Sequence, residues 1–375
     1  MKVTNFKSID SLELHGLDAF SVFAGPNGSG KSNFFDALDF TSTFIRYGVE
    51  AALRAHGGFR NIHSEKRKKA DSRRFTFAIE AEVLKDESPC QFSYALSIHE
   101  LDATPSIEEK LIVDGEKWLD RKSNECWSRD RLVGALYKEG GSALTVPISY
   151  SALLLYEGWI FTQLLSNINL YRIDPIGAKE PNQSDKDPSK LERKGHNLAS
   201  VLSRMEQDDN LRETIVDLMS VIVPGLENIK TEEQKLDGKV AVLFKEDGTR
   251  KRFPTHLISD GTIYALCLIV AVLDASSKRG ITLVEEPERG LHPKVIGELI
   301  KFIREQASAE HPIWLTTHSS PVVHELKINE LILTNKKAGK TSMKCADSGN
   351  LKQASLKLPL DEAWISNLLN GGLPW

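Results

Sequence analysis

Phe20-Ser21-Val22-Phe23-Ala24 runs directly into Gly25-Pro26-Asn27-Gly28-Ser29-Gly30-Lys31-Ser32. The first five residues alternate and are rich in strand formers. The next eight fit G-x-x-x-x-G-K-[ST] completely, and residues 31–46 then read as a helix. Strand, glycine-rich loop and helix in that order make a phosphate cradle. The glycines let backbone N–H groups turn inward, and the start of the helix adds partial positive charge. In such a cradle Lys31 reaches the β- and γ-phosphates and the Ser32 hydroxyl ligates Mg²⁺.

Outward from this loop, residues 2–9 and 11–15 read as short strands, and residues 73–83, 91–99 and 107–113 as three more. The short connections of those three favour an antiparallel sheet. Residues 54–74 are polar and basic, with Gly57-Gly58 as a breaker. Residues 181–188 read as a polar loop. Helical periodicity returns over 198–222 with a break near 207–210, and strands follow at 228–231 and 239–244. The last third alternates helix and strand: helix 261–276, strand 281–284, helix 293–306, strand 313–316, and a short helix after Ser319. The division that follows is 1–115 and 225–375 as two parts of one α/β unit, with 116–224 as a mainly helical insertion.

Two further strands carry chemistry at their ends. Ile281-Thr282-Leu283-Val284 is apolar and suited to a central parallel strand. It ends in Glu285-Glu286-Pro287-Glu288. Carboxylates at that end of a strand line the crevice in which open α/β sheets bind ligands. One can hold the metal shell and the next can polarise the attacking water. Residues 313–316 form another buried strand, which leads to His318 beside the same crevice. Ser259-Asp260-Gly261 precedes a long apolar helix. It reads either as an ordinary helix cap or as an anion contact at a helix N-terminus.

Together these elements resemble the ABC-type ATPase heads of the SMC, RecF, OLD and related group. Residues 25–32 match Walker A, Ser259-Asp260-Gly261 a variant ABC signature, residues 281–286 Walker B with its catalytic glutamate, and His318 the switch histidine. Asn5-Phe6-Lys7-Ser8 is similar to the group's N-terminal strand, and Gly195-His196-Asn197-Leu198 to a segment of its bacterial members. Glu285-Glu286-Pro287-Glu288 followed by Gly290-Leu291-His292-Pro293 is especially like the OLD-related bacterial ATPases, where that stretch serves as the D-loop.

The resemblance implies a P-loop NTPase fold with a mixed central sheet, an N-terminal antiparallel β lobe and a helical insertion. It implies ATP held by Gly25, Pro26, Asn27, Gly28, Ser29, Gly30, Lys31, Ser32 and Asn33, Mg²⁺ held by Ser32 and Glu285, and catalysis by Glu286 and His318. It also implies a homodimer, in which Ser259, Asp260 and Gly261 of one subunit close on ATP held by the other. Two positions depart from the group's pattern. Glu285 stands where Walker B usually has Asp, and Asp260 where many signatures have Gly. The usual Q-loop glutamine is not placed, and Gln91, within a predicted strand, is not given that role.

Composition narrows the rest. The net charge of −4 offers no global basic field, so nucleic-acid contact would need a local patch. Arg60, Lys66, Arg67, Lys68, Lys69, Arg73 and Arg74 are the candidates, with a solvated loop as the other reading. Four scattered cysteines form no CxxC pair, as in a reducing cytoplasm. The N-terminus lacks the apolar run of a signal peptide, and the most apolar stretch, 263–273, suits a buried helix rather than a bilayer span. The segment after His318 is too short for a Toprim nuclease domain, and no heptad run supports a long coiled coil. The expectation is a cytoplasmic, membrane-free ATPase switch in anti-phage defence or DNA repair, with a separate nuclease or toxin as effector. An ATP-holding scaffold and a transporter subunit are the alternatives. Residues 371–375, with Trp364, read either as a partner dock or as packing on the same head.

Overall fold

The computed structural model describes residues 1–63, 74–85, 88–101, 104–129, 142–183, 188–235, 237–276, 278–346 and 358–373. The chain opens with β1 (Lys2–Phe6), β2 (Ile9–Glu13) and β3 (Phe20–Ala24), then α1 (Lys31–Tyr47), α2 (Val49–Ala55) and α3 (Phe59–Ile62). Strands β4 (Arg74–Lys85), β5 (Ser88–Leu101), β6 (Thr104–Val113), β7 (Glu116–Lys122), β8 (Glu125–Ser128) and β9 (Ser142–Thr145) follow. Next come α4 (Ile160–Ser166), β10 (Ile168–Tyr171), α5 (Pro175–Ala178), β11 (Asn182–Gln183), α6 (Leu198–Met205) and α7 (Asp209–Ile222). After β12 (Leu226–Glu233), β13 (Lys239–Glu246) and β14 (Phe253–Pro254), the chain enters α8 (Asp260–Ser276), β15 (Ile281–Glu285), α9 (Pro293–Gln306) and β16 (Ile313–Thr317). It finishes with α10 (Ser320–His324), β17 (Leu331–Lys337), β18 (Lys340–Cys345) and α11 (Leu360–Ile365).

The central sheet has the order β10-β15-β16-β3-β17-β18. Its first five strands are parallel, and β18 runs antiparallel at the edge. Side chains along these strands alternate between two cores, as a pleated strand requires. Val22, Ile313, Leu315, Leu331 and Leu333 join α6 to α9 on one face. Phe23, Leu283, Trp314 and Ile332 join α1, α4 and the lobe on the other. Helix α8 is buried along 263–275, as a helix that is apolar all round must be. Among the described residues no helix is long and apolar enough to cross a membrane.

The second sheet, β2-β1-β4-β5-β6-β7-β8-β9, is antiparallel and forms the N-terminal lobe. Its inner pin is a fully buried pair. Arg121 Nη1 lies 2.7 Å from Glu109 Oε2, and neither side chain is exposed to solvent. Glu109 also accepts from the Tyr94 and Ser151 hydroxyls and from the Ala152 amide. Arg121 donates to the carbonyls of Ser123, Pro147 and Tyr150. A third small sheet joins β11, β12, β13 and β14.

The segment 116–224 differs from the expected helical insertion. The tight turn at Asp114 and Gly115, both at positive φ, returns the chain into β7, so its first strands extend the lobe. β10 becomes an edge strand of the central sheet, and α4 to α7 supply the helices. The break expected near 207–210 separates α6 from α7, where Asp208 caps the second helix through the amides of Asn210 and Leu211. Trp364 is fully buried, and its indole N–H donates to the Gly372 carbonyl. The C-terminal residues described therefore pack on this chain's own head.

Candidate active site

The parallel register brings four strand ends level. Tyr171 pairs with Val284, Glu285 with Thr316, and Thr317 with Ala24. The residues just beyond are Arg172, Glu286, His318 and Gly25, so distant parts of the chain meet in one crevice.

The loop 25–32 closes on itself and on β17 and β18. The Gly25 amide donates to Thr317 O at 3.2 Å. A Cβ at Gly25 would lie 2.2 Å from Thr334 O, so no larger residue fits between the loop and β17. Gly30 caps α1 at φ +106, a conformation open to glycine and costly for other residues. Thr341 Oγ1 donates to Ser29 O at 2.9 Å and meets Ser8 Oγ at 2.7 Å. Asn33 Nδ2 donates to the same Ser8 hydroxyl at 2.6 Å, which ties the helix start to the lobe. Lys31 is buried, and its ammonium donates to Gly25 O at 2.6 Å and Pro26 O at 3.0 Å. Burial pulls that ammonium below the usual lysine range, opposed by the carboxylates of Glu286, Glu288 and Glu285. Asn27, Gly28 and Ser32 are exposed at the mouth.

The acids lie opposite. Glu286 sits at φ +50, an uncommon conformation for a residue with a side chain. Its amide donates to Thr316 O, and the Tyr264 hydroxyl of α8 contacts the carbonyls of Glu285 (3.0 Å) and Glu286 (2.7 Å). His318 Nδ1 lies 3.2 Å from Glu286 Oε1. The Glu288 side chain is largely covered beside them and accepts from Thr317 Oγ1 at 2.7 Å and from the His318 amide at 3.4 Å. Burial lifts its carboxyl above the ordinary range, only partly offset by the Thr317 bond.

Arg172, which sequence reasoning missed, stands among these groups. Its Nη2 lies 2.6 Å from Glu285 Oε1, 2.8 Å from Asp36 Oδ1 and 3.5 Å from Ser32 O. Asp36, on α1, also meets Lys7 Nζ at 2.5 Å and Arg193 at 3.2 Å. Burial works against its charge, but Arg172, Lys7 and Arg193 hold its carboxyl below the usual range. The signal for Arg172 was the short strand pattern Ile168-Asn169-Leu170-Tyr171 followed by a turn. Its importance depends on register with a strand more than a hundred residues away.

Divalent metal fits these residues. Glu285 offers a hard carboxylate oxygen, Ser32 an exposed hydroxyl, and one cationic nitrogen already sits between the two residues. Among the described residues no group of three His, Cys, Asp or Glu could hold a metal alone. Mg²⁺ takes few protein ligands and completes its shell with water and substrate phosphates.

The remaining expected residues lie apart from this cluster. Ser259 and Asp260 are exposed. The Ser259 hydroxyl accepts from the Thr262 amide at 3.1 Å, and Asp260 pairs with Lys179 at 2.5 Å. Gly261 packs against Gly290, where a Cβ would lie 2.3 Å from the Gly290 carbonyl. Asn197 latches its loop through Lys190 O and the Glu192 amide, and His196 meets Asp174 at 3.3 Å. Arg60 is exposed on α3, while Arg74 is committed to Ser97 and Glu108. Lys66, Arg67, Lys68, Lys69 and Arg73 lie outside the described residues.

The protein family described as "AAA domain, putative AbiEii toxin, Type IV TA system" matches residues 20–324. Among solved structures, the SMC head domain from Thermotoga maritima is 14% identical over 92% of this chain and 97% of that one, with a TM-score of 0.49. An SmcHead bound to the C-winged helix domain of ScpA is 14% identical over 91% and 95%, with a TM-score of 0.48. A Smc head domain with an extended coiled coil, bound to the C-terminal domain of ScpA derived from Pyrococcus furiosus, is 12% identical over 91% and 94%, with a TM-score of 0.48. No curated protein matches.

Proposed function

This chain belongs to that AAA domain family, and on that premise we propose that it is a P-loop ATPase of ABC/SMC-like type that binds and hydrolyses ATP as a nucleotide-dependent dimeric switch. The observation that carries the reading is the convergence of Lys31, Glu285, Glu286 and His318 at the level ends of β3, β15 and β16.

The loop amides and the Lys31 ammonium hold the β- and γ-phosphates, which replace the Gly25 and Pro26 carbonyls as partners of Lys31. Ser32 and Glu285 hold Mg²⁺, which supplies neutralising charge to the phosphates. Glu286 orients the attacking water and accepts its proton. His318 stands 3.2 Å from that carboxylate, and its ring registers loss of the γ-phosphate. Ser259, exposed just before α8, and the half-buried Gly261 meet the nucleotide of a second subunit. ATP then joins the heads and hydrolysis releases them. The switch serves anti-phage defence or DNA repair through a separate nuclease or toxin, and DNA is a candidate contact.

The test is Glu286→Gln, which should lower turnover by about 10²- to 10⁴-fold while ATP-dependent dimers persist. Unchanged turnover defeats the assignment. A second reading, an ATP-holding scaffold with little turnover, is favoured by one observation. Asp260 places a carboxylate, paired to Lys179, where the partner's phosphate would arrive. Brisk hydrolysis by the pure protein alone would exclude it.

A further inference from the structure

Resting on the ATP-binding reading above, we propose that Arg172 is a positioning residue that competes with the divalent cation for the Glu285 carboxylate, so that metal loading requires its guanidinium to let go.

Arg172 is the first residue beyond β10, and register sets it beside Glu285. Its grip is lopsided. Nη2 alone serves Glu285, Asp36 and the Ser32 carbonyl, whereas Nε is buried without a hydrogen-bond partner among the described residues. Arg121 shows the contrast of a purely architectural arginine. Its side chain is fully buried, and Nε, Nη1 and Nη2 all donate. The Arg172 side chain stays about one-third exposed at the crevice.

The two carboxylates differ in what they lose if Arg172 leaves. Asp36 keeps Lys7 and Arg193, so its charge remains compensated. Glu285 has Arg172 as its ion-pair partner among the described residues. An uncompensated, largely buried carboxylate is costly, and a divalent ion is the natural replacement. The same nitrogen also lies beside Ser32, the other residue suited to that ion. Cation exchange at Glu285 thus exchanges one compensating charge for another, with Asp36 as the resting place of the guanidinium. Arg172 thereby holds the acid in place before metal arrives and sets the metal concentration at which loading occurs.

The experiment titrates Mg²⁺ against binding of a fluorescent ATP analogue to the full chain, for the parent, Arg172→Gln and Arg172→Lys. Mn²⁺ occupancy, followed by loss of the free-ion EPR signal, gives a readout independent of turnover. Thermal melts report folding. Arg172→Gln should lower the Mg²⁺ midpoint about tenfold, the scale of one charge-assisted hydrogen bond. Arg172→Lys, which keeps the charge but not the fork, should lower it less, by about twofold or more. Analogue affinity in EDTA should change less than the midpoint does. An unchanged or raised midpoint in a Gln variant that melts like the parent overturns the proposal. If the Gln variant does not fold, an unchanged midpoint in the Lys variant overturns it instead. A parent that binds no nucleotide with or without metal defeats the ATP reading. Mn²⁺ titration of parent and variants without nucleotide then still tests the competition.

Discussion

His318 Nδ1 stands 3.2 Å from Glu286 Oε1, although 31 residues of chain, including all of α9 and β16, intervene. The two side chains meet because Glu285 pairs with Thr316 in the parallel register. His318→Ala should therefore lower kcat by up to about a hundredfold, the scale of a catalytic group left slightly misplaced. Both side chains are about 40% exposed, so the melting temperature should barely move. A double-mutant cycle with Glu286→Gln should be clearly non-additive. Additive effects on kcat would separate the two roles.

Glu288 lies beside that pair, and burial raises its folded pKa above the unfolded value. The folded state then binds more protons than the unfolded state as pH rises past the ordinary glutamate value, so ionisation of Glu288 erodes stability until the folded pKa is passed. Glu288→Gln keeps an acceptor for Thr317 and the His318 amide and removes this penalty. Its melting temperature relative to the parent should climb as pH rises from about 4.3, the ordinary glutamate value, toward the raised folded one. A flat difference across that range would contradict the account.

Asp36 behaves in the opposite sense. Arg172, Lys7 and Arg193 depress its folded pKa, so its contribution is present above the unfolded value and lost as pH falls through the folded one. Asp36→Asn should cost about 3 kcal/mol at pH 7, since it leaves three cations facing a neutral amide. Acid unfolding of the variant should be shallower than that of the parent. Urea unfolding at several pH values measures both effects.

Glu109→Ala should destabilise the lobe by about 3–5 kcal/mol, because it strands Arg121 without its carboxylate in a dry interior. Replacing both partners with apolar residues should cost less than replacing one. The contrast is read from chemical unfolding of the single and double variants.

Much of this was legible in the sequence because the deciding signals are local. The loop 25–32 declares itself through glycine spacing between a strand and a helix, and α1 begins at Lys31 as the pattern demands. The strands before Glu286 and His318 are short apolar runs, and both fall where expected. β10 was not legible. Its four-residue pattern is too short to stand out in a segment of mixed composition, and only pairing with Ile281–Glu285 makes it a strand. Arg172 went unseen for the same reason. β7 and β8 were obscured by charged and tryptophan residues, which give the two short strands little apolar alternation of their own.

The Tyr264 hydroxyl touches the carbonyls of both Glu285 and Glu286 from α8, the helix that Ser259 and Asp260 introduce. No flexible linker stands between the exposed start of that helix and the acids, only a rigid aromatic ring seated in the core. A push or twist delivered to the helix tip would be transmitted like a lever's stroke, shifting the acidic turn in step with it. Tyr264→Phe should therefore leave each half of the machinery intact yet uncouple their timing.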